Sequence, residues 1–179
     1  MDLSLKILTL CTGNVARSPM LGLMLTALAA DFREDWLVRS AGTHVLEGKA
    51  LSSRTRDAMV RLDVLSESSY AVHRSRQISH EDVRWSDVIL CSEAAQVTFI
   101  RAKYPEASAK TVTLGQLVRN ARVDVGFGAQ VQLIALQEPD AAYDVDDPAG
   151  GDQLQYDQCA SNLWELAQAF LTLVARGET

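Results

Sequence analysis

Hydrophobic and polar positions alternate in blocks along the chain, and the blocks predict strands connected by helices. Four short apolar runs have the length and composition of buried parallel strands: 7–10, 37–41, 87–91 and 111–114. Between these runs lie segments with apolar residues at helical spacing: 20–30, 53–62, 78–83 and 93–103. The alternation predicts an α/β fold of three layers, in which helices cover both faces of a parallel sheet.

The last third of the chain departs from this alternation. From 122 to 147 no period is sustained, and glycines and a proline interrupt the pattern. We therefore predict one domain over 1–179 with an extended loop at about 116–147. The apolar stretch 131–136 of this loop is expected to pack on the body of the domain. Residues 152–175 carry the clearest helical stripe of the sequence.

Composition and charge narrow the function classes. The chain has 179 residues, of which 47% are hydrophobic and 22% charged, as in an average globular protein. Its formal net charge of −6 argues against nucleic acid as a partner, because nucleic-acid-binding surfaces are rich in Lys and Arg. Residues 123–175 hold nine Asp and Glu and no Lys or Arg. This segment is either a solvated acidic edge or an acidic loop with a function.

Cysteine and histidine content argues against disulfide and metal sites. The three cysteines, Cys11, Cys91 and Cys159, are scattered, and no His pair has the spacing of a zinc site. We therefore predict no metal and no cofactor. The N-terminal segment lacks a secretory pattern, and the uncharged stretch 18–30 is too short to span a bilayer. These features predict a cytoplasmic protein without a membrane partner.

Candidate chemistry lies between the first predicted strand and the first predicted helix. Cys11 ends the strand and Arg17 opens the helix, with Ser18 as the expected N-cap and Pro19 as the first helical residue. Loop amides and the helix N-terminus attract an oxyanion and stabilise a thiolate, and Arg17 can bind two phosphate oxygens. Gly13 tolerates a positive φ in this loop. We predict Cys11 and Arg17 as catalytic residues and six others as substrate-binding: Thr12, Gly13, Asn14, Val15, Ala16 and Ser18.

Four motifs occur in order along the chain. They are the octet 11–18, the segment 40–43, parts of the stretch 76–91, and Asp147-Pro148 ahead of the last helix. Together they resemble the motifs of the low-molecular-weight protein tyrosine phosphatases. The resemblance implies a flavodoxin-like, four-stranded parallel sheet and phosphomonoester hydrolysis without metal or cofactor. The implied partner is a phosphorylated protein, with phosphotyrosine, or a small phosphomonoester.

The resemblance also implies a mechanism in two steps. The Cys11 thiolate attacks phosphorus while Arg17 and the loop amides hold the transition state, and Asp147 protonates the leaving oxygen. Water activated by Asp147 then hydrolyses the cysteinyl phosphate. Asn14 is implied to hold the loop in shape, with Ser40 as its hydrogen-bond partner.

The assignment of Asp147 as the proton donor has weaker support from the residues alone than the assignments of Cys11 and Arg17. Pro148 favours an extended backbone at Asp147, which suits a side chain projected from a loop. Six Asp lie between 140 and 157, so a plain solvated loop is the competing interpretation. Asp146 is the alternative acid.

Several positions depart from the family pattern. Ala16 stands where members often carry a second cysteine, so a protective disulfide with the nucleophile is not expected. Ala149 follows the Asp-Pro pair where phosphotyrosine enzymes usually have aromatic residues, and Phe127 or Tyr143 could take that place. The apolar Val15 resembles the residue that tyrosine-directed members carry at this position, whereas phosphoarginine-directed relatives carry Thr there.

Two other functions stay open at this point. An arsenate reductase on the same fold would need further thiols, and Cys91 could supply the first, but Thr98 stands seven residues on where the next is expected. The second alternative is a non-catalytic phosphate-binding module. The complete set of Cys11, Arg17 and Asp147 argues against such a module, because a degenerate binder would be expected to lack one of them.

Overall fold

The computed structural model describes residues 4–65 and 70–176. Four strands form one sheet in the spatial order β2-β1-β3-β4: β1 (Leu5–Cys11), β2 (Trp36–Gly42), β3 (Val88–Cys91) and β4 (Thr111–Thr113). All three pairings are parallel, and Leu10 of β1 lies opposite Ala41 of β2 and Cys91 of β3. The predicted four-stranded parallel sheet is therefore confirmed.

Helices connect the strands and follow the last one. Those with described bounds are α1 (Arg17–Phe32), α2 (Ser53–Leu62), α3 (His80–Trp85), α4 (Ala94–Lys103), α5 (Leu114–Arg119), α6 (Phe127–Ala135) and α7 (Gln153–Arg176), with 3-10 turns at Pro105–Lys110 and Ala141–Tyr143. Across 4–65 and 70–176, no helix combines the length and apolar character needed to cross a membrane.

The sheet separates two hydrophobic clusters. Ile7 of β1 belongs to one cluster, together with Met24 of α1 and Phe170 of α7. Leu8, the next residue, belongs to the other cluster with Val97 of α4. Successive side chains of a strand point to opposite faces, so the placement of Ile7 and Leu8 in different clusters means that β1 is buried from both sides. The predicted arrangement of helices on both faces is confirmed.

Helix α1 begins earlier than predicted. Its first residue is Arg17, and its cap is Ala16, whose side chain forms no capping hydrogen bond. The prediction that Ser18 caps this helix is wrong, because the Ser18 hydroxyl contacts Cys11 and donates to the Ala41 carbonyl oxygen instead. Pro19 therefore lies within the first turn, where backbone N–H groups have no intrahelical partner and none is lost.

Where an extended loop was predicted at about 116–147, the structure has the end of α5, the whole of α6 and the 3-10 turn Ala141–Tyr143, joined by irregular stretches. Two glycines suggested a loop, but Gly126 caps α6 and Gly128 lies in its first turn. The prediction that the apolar stretch 131–136 packs on the body is confirmed by the burial of α6. The buried residues of this helix are Gln130, Val131, Ile134 and Ala135.

Candidate active site

The residues that the sequence singles out meet at the carboxyl edge of the sheet. Cys11 ends β1 and Arg17 begins α1, so a tight connection, here called the Cys11 loop (residues 11–18), joins strand to helix. The chain runs from β1 to β2 on one side and later to β3 on the other. Ligand sites of open parallel sheets lie at such a switch point, beyond the carboxyl ends of the strands.

The Cys11 side chain is buried and receives hydrogen bonds from its own loop. Its Sγ lies 3.0 Å from the Ser18 Oγ and accepts a hydrogen bond from the Asn14 N–H at 3.2 Å. The Ser18 hydroxyl also lies 3.1 Å from the Ala41 carbonyl oxygen. Because a hydroxyl has one proton, Ser18 can donate either to that carbonyl or to a Cys11 thiolate. The loop can therefore accommodate the sulfur in both protonation states.

Asn14 holds the loop together. Its backbone is left-handed, with φ of 54°, and its side chain is fully buried. Its Nδ2 donates to the Ser18 Oγ at 2.9 Å and to the Ser40 Oγ at 3.1 Å, so the hydrogen bond predicted with Ser40 is present. Its Oδ1 accepts from the Arg76 N–H at 3.0 Å, and the His73 Nε2 lies 2.8 Å from its carbonyl oxygen.

Two glycines near the loop have different roles. Gly13 tolerates a positive φ but does not take one; Asn14 takes that conformation, and its own hydrogen bonds secure it. Gly42, at the end of β2, is required by packing: a Cβ there would lie 2.5 Å from the Thr12 carbonyl oxygen. The N–H groups of the two residues after Gly42 donate to carbonyl oxygens of the Cys11 loop at 3.0 Å. The end of β2 therefore supports the loop directly.

The Arg17 side chain is 2% exposed and forms ion pairs with two carboxylates. Its Nη1 lies 2.5 Å from the Glu93 Oε2 and 3.2 Å from the Val145 carbonyl oxygen, and its Nη2 lies 2.8 Å from the Asp147 Oδ2. Burial disfavours the charged guanidinium, but the hydrogen bond to Glu93 and the charge of Asp147 outweigh it and raise the pKa of Arg17. Arg17 is therefore a fixed cation at the floor of the site.

Of the adjacent residues Asp146 and Asp147, Asp147 is the one whose carboxylate contacts Arg17 of the Cys11 loop. Besides its contact with Arg17, its Oδ1 accepts from the Ala149 N–H at 3.1 Å. The side chain is 44% exposed, so solvent can exchange protons with it. Asp146 is exposed, and within the described part of the chain it forms no hydrogen bond or ion pair. The geometry thus brings Asp147, and not Asp146, to the site.

The acid loop, residues 144–150, starts from a fixed point beside α4. The Val145 N–H donates to the Ser92 carbonyl oxygen at 2.8 Å, and the Asp144 Oδ1 accepts from the Ala94 N–H at 2.7 Å. Burial raises the pKa of Asp144, and the nearby Glu93 carboxylate raises it further against the effect of the Ala94 hydrogen bond. These contacts join the acid loop to the connection between β3 and α4.

Sequence reasoning missed Glu93 and His73. The pattern assigns Glu93 only to the start of a helix, yet its carboxylate contacts Arg17 and accepts from the Thr12 hydroxyl at 3.3 Å. A signal was available, because Glu93 follows β3 closely and the carboxyl ends of adjacent parallel strands share one edge. His73 lies in a segment without periodicity, so nothing in the pattern indicates its contact with Asn14.

Neither Phe127 nor Tyr143 forms an aromatic wall at the mouth of the site. Phe127 packs edge-to-face against Phe170 at 5.5 Å between ring centroids, and the Tyr143 hydroxyl contacts Asn120, the residue that follows α5. The hypothesis that these two rings replace the missing aromatics is wrong, because both are engaged elsewhere. Small, exposed residues occupy 149–150, and on the connection that supports the Cys11 loop Leu46 is 75% exposed.

The two remaining cysteines are free and buried. Burial raises the pKa of Cys159 to about 12 and raises that of Cys91 even further. Thiols that do not ionise are poor nucleophiles, so neither suits the thiol relay of an arsenate reductase. Among the residues that the structure describes, no group of His, Cys, Asp and Glu side chains is arranged to hold a metal ion.

Comparison with known proteins decides the family. The sequence profile described as low molecular weight phosphotyrosine protein phosphatase matches residues 6–126. The chain belongs to this family. The resemblance noted from the motifs is therefore confirmed, and the protein is a cysteine-based phosphatase that acts on phosphorylated proteins or phosphomonoesters.

The similar proteins differ in their named substrates. A protein-arginine-phosphatase of Geobacillus stearothermophilus is 33% identical over 131 residues, which are 72% of this chain and 82% of the relative. A low molecular weight phosphotyrosine protein phosphatase of Rattus norvegicus is 23% identical over 171 residues, 94% of each chain. The crystal structure of a low molecular weight protein tyrosine phosphatase from T. tengcongensis superposes with a TM-score of 0.77 at 24% identity, covering 94% of this chain and 99% of that one.

Proposed function

We propose that this phosphatase hydrolyses aryl phosphomonoesters, with phosphotyrosine in proteins as its substrate class, through a cysteinyl phosphate on Cys11. One observation carries the proposal: the buried Cys11 thiol lies in the same loop as Arg17, and the Arg17 Nη2 is 2.8 Å from the Asp147 Oδ2. A nucleophile, an anion-binding cation and a carboxyl acid are thereby within reach of one phosphoryl group.

In the first step, the Cys11 thiolate attacks phosphorus and the bond to the leaving oxygen breaks. Ser18 turns its proton from the Ala41 carbonyl to the sulfur and so stabilises the thiolate. Loop amides and Arg17 hold the equatorial oxygens, on which negative charge builds up. Asp147, protonated, transfers its proton to the leaving oxygen.

In the second step, water attacks the cysteinyl phosphate and the sulfur leaves as a thiolate. Asp147, now a carboxylate, takes the proton of the attacking water. The exposure of its side chain supports this role, because water must reach it between the two steps. Ser18 again stabilises the sulfur as it leaves.

Glu93 is proposed as a positioning residue for Arg17. Its carboxylate is held in place by the Thr12 hydroxyl and takes the Nη1 end of the guanidinium. The Nη2 end faces Asp147, so substrate phosphate has to compete with that one carboxylate only. A fixed guanidinium binds phosphate in two-point geometry with less loss of side-chain entropy.

Val15 favours a phosphotyrosine rather than a phosphoarginine substrate. Its side chain is partly exposed in the Cys11 loop and offers only methyl groups, which contact a phenyl ring well. A guanidino group carries N–H donors that need an acceptor there. The 33% identity to a protein-arginine-phosphatase makes phosphoarginine the second candidate. Comparing kcat/KM for phosphotyrosine and phosphoarginine peptides in wild type and Val15→Thr separates the two.

The experiment for the reaction itself is hydrolysis of p-nitrophenyl phosphate in the presence of EDTA. We expect turnover in the wild type and none in Cys11→Ser, whose circular dichroism should match the wild type because the two side chains are similar in size. A Cys11→Ser protein that still turns over would overturn the nucleophile. A folded wild type without turnover would overturn aryl phosphomonoesters as the substrate class.

A further inference from the structure

A second group of basic side chains lies beside the Cys11 loop, away from the carboxylates that hold Arg17. It forms a pocket, here called the basic pocket, with six lining residues: Arg39, Ser40, His73, Arg74, Arg76 and Glu81. The reaction proposed above uses none of these three arginine side chains. The pocket therefore requires its own explanation.

Two of the guanidinium groups are oriented by neighbouring side chains. Arg39 stacks on the Trp85 ring, with its Cζ 4.3 Å from the ring centroid, and its Nη1 lies 3.2 Å from the Glu81 Oε1. Stacking holds a guanidinium by its face and leaves its N–H edges available to a ligand. Arg76 makes two hydrogen bonds of 2.8 Å with the Asp82 carboxylate.

Arg74 differs from the other two. Its Nη1 donates to the carbonyl oxygens of Ala71 and His73, and among the described residues no carboxylate forms an ion pair with it. The pocket's three arginines thus outnumber the two described carboxylates that pair with them, Glu81 in the lining and Asp82 behind it, although the protein as a whole carries a net charge of −6. Burial lowers the pKa of His73, and the positive charges of Arg74 and Arg76 lower it further.

The pocket is coupled to the Cys11 loop through one residue. Three of its lining residues each contact Asn14: Ser40 through its hydroxyl at 3.1 Å, Arg76 through its backbone N–H at 3.0 Å, and His73 through Nε2 at 2.8 Å. Asn14 in turn donates its backbone N–H to the Cys11 Sγ. A ligand that moves these lining residues would therefore change the shape of the loop.

We propose that the basic pocket binds a tetrahedral oxyanion of the phosphate class, and that its occupancy tunes turnover through Asn14. Guanidinium groups bind such anions through two oxygens at once, and Arg74, which forms no ion pair with a carboxylate of the described residues, supplies the charge that the pocket has in excess. The anion is either free phosphate, which the phosphatase releases, or the phosphoryl group of a larger molecule. The effect on turnover rests on the proposed function, whereas the binding does not.

Binding is tested by calorimetry with the full-length Cys11→Ser protein, which cannot turn over. Inorganic phosphate and glycerol 2-phosphate are titrated in separate arms at constant ionic strength. We expect two sites for inorganic phosphate, one of which weakens at least about tenfold in Arg74→Gln and in Arg39→Gln. Glycerol 2-phosphate occupying the same site would assign the pocket to phosphoryl groups in general, and its failure to bind would assign it to free phosphate.

The matched control is Arg119→Gln, which removes an exposed arginine at the end of α5. It should leave both sites unchanged, because the change in net charge is the same but the position is remote from the pocket. A single phosphate site that Arg74→Gln and Arg39→Gln leave intact would overturn the proposal. An equal loss in Arg119→Gln would also overturn it, since it would indicate only a general effect of net charge.

The effect on turnover is read from inhibition of p-nitrophenyl phosphate hydrolysis by inorganic phosphate. In the wild type we expect both kcat and KM to change with phosphate, because the pocket and the active site both fill. In Arg74→Gln only KM should change. Purely competitive inhibition in both proteins would overturn the tuning. A wild type without turnover would contradict the proposed function alone, because the calorimetry would still report the binding.

Discussion

The Cys11 loop and the acid loop face each other across Arg17, yet they are built in different ways. In the Cys11 loop, the side chains of Cys11, Asn14 and Ser18 are buried and hydrogen-bonded to one another. In the acid loop, Asp147 is 44% exposed and depends on Arg17 and on its own turn. One side of the site is part of the core, and the other side lies in solvent.

This difference separates two tasks. Stabilising charge in a transition state requires dipoles and cations that do not have to reorganise, and burial within a hydrogen-bond network provides that. Proton transfer requires a group that solvent can reload between the two steps, and exposure provides that. Changes in the acid loop should therefore alter rate with little effect on stability, whereas changes around the Cys11 loop should affect both.

The largest effect is expected from Asp147→Asn. Loss of the acid should lower kcat by about 10² to 10⁴ for phenyl phosphate, whose leaving group needs a proton, and by less for p-nitrophenyl phosphate. The melting temperature should stay close to that of the wild type because the side chain is exposed. Asp146→Asn is the matched control and should retain activity. If Asp146→Asn shows the leaving-group dependence instead, the acid has been assigned to the wrong residue.

Asn14→Ala should disturb stability as well as rate. It removes the hydrogen bonds that the Asn14 side chain donates to the Ser18 and Ser40 hydroxyls and the one that it accepts from the Arg76 N–H, and it puts alanine at a positive φ. The free energy of unfolding should fall by about 3 kcal/mol, as measured by urea denaturation. Asn162→Ala, at a half-exposed site on α7, should cost less than about 0.5 kcal/mol. Equal costs for the two variants would contradict the central place given to Asn14.

The Asp82 carboxylate makes the free energy of unfolding depend on pH. It holds the Arg76 guanidinium by two hydrogen bonds, and the Arg76 N–H supports Asn14 of the Cys11 loop. Burial alone would raise the pKa of Asp82, but hydrogen bonds from Arg76 and Ser79 outweigh it and hold that pKa below its usual value. A carboxyl with a lowered pKa contributes stability above its unfolded value, about 4, and loses it as the pH falls through the folded value.

Asp82→Asn should therefore lower the free energy of unfolding by about 2 kcal/mol at pH 7, and by progressively less below about pH 4. Urea denaturation of both proteins across this range measures the difference. A difference that is constant with pH would show that the ionised carboxylate is not the source of the stability.

The smallest effect is expected at Glu93, which touches both loops through Arg17 and Thr12. Glu93→Ala should lower kcat about tenfold, because Arg17 loses one of its two carboxylate partners and its fixed orientation. Glu93→Gln keeps an oxygen acceptor and removes a negative charge, so it should retain more activity and bind inorganic phosphate more tightly. Steady-state kinetics with phosphate as inhibitor measures both quantities. Equal losses in the two variants would contradict a positioning role.

Much of the buried side of the site was predictable from local pattern. The strand before Cys11, the helix after Arg17 and the octet between them are contiguous in sequence, so their geometry follows from one strand–loop–helix unit. The contact of Asn14 with Ser40 was available only through the family resemblance. The left-handed conformation of Asn14 was not predictable from local rules, because these favour glycine for a positive φ and cannot see the hydrogen bonds that secure Asn14.

The remainder depends on tertiary placement. Glu93 reaches Arg17 because β3 lies beside β1, and His73 reaches Asn14 from a segment that shows no period. The helix α6 was predicted as loop because glycine at a cap resembles glycine in a turn. Local sequence signals are weakest at such points, where long-range contacts decide the conformation.

The proposed mechanism requires that the phosphoryl group is transferred to Cys11 before it reaches water. The most direct measurement is mass spectrometry of the wild type, quenched in acid during turnover of p-nitrophenyl phosphate and digested to peptides. We expect one added phosphoryl group on the peptide that contains Cys11, and none in Cys11→Ser treated in the same way. Full turnover with no phosphorylated peptide, or with the phosphoryl group on another residue, would contradict the mechanism.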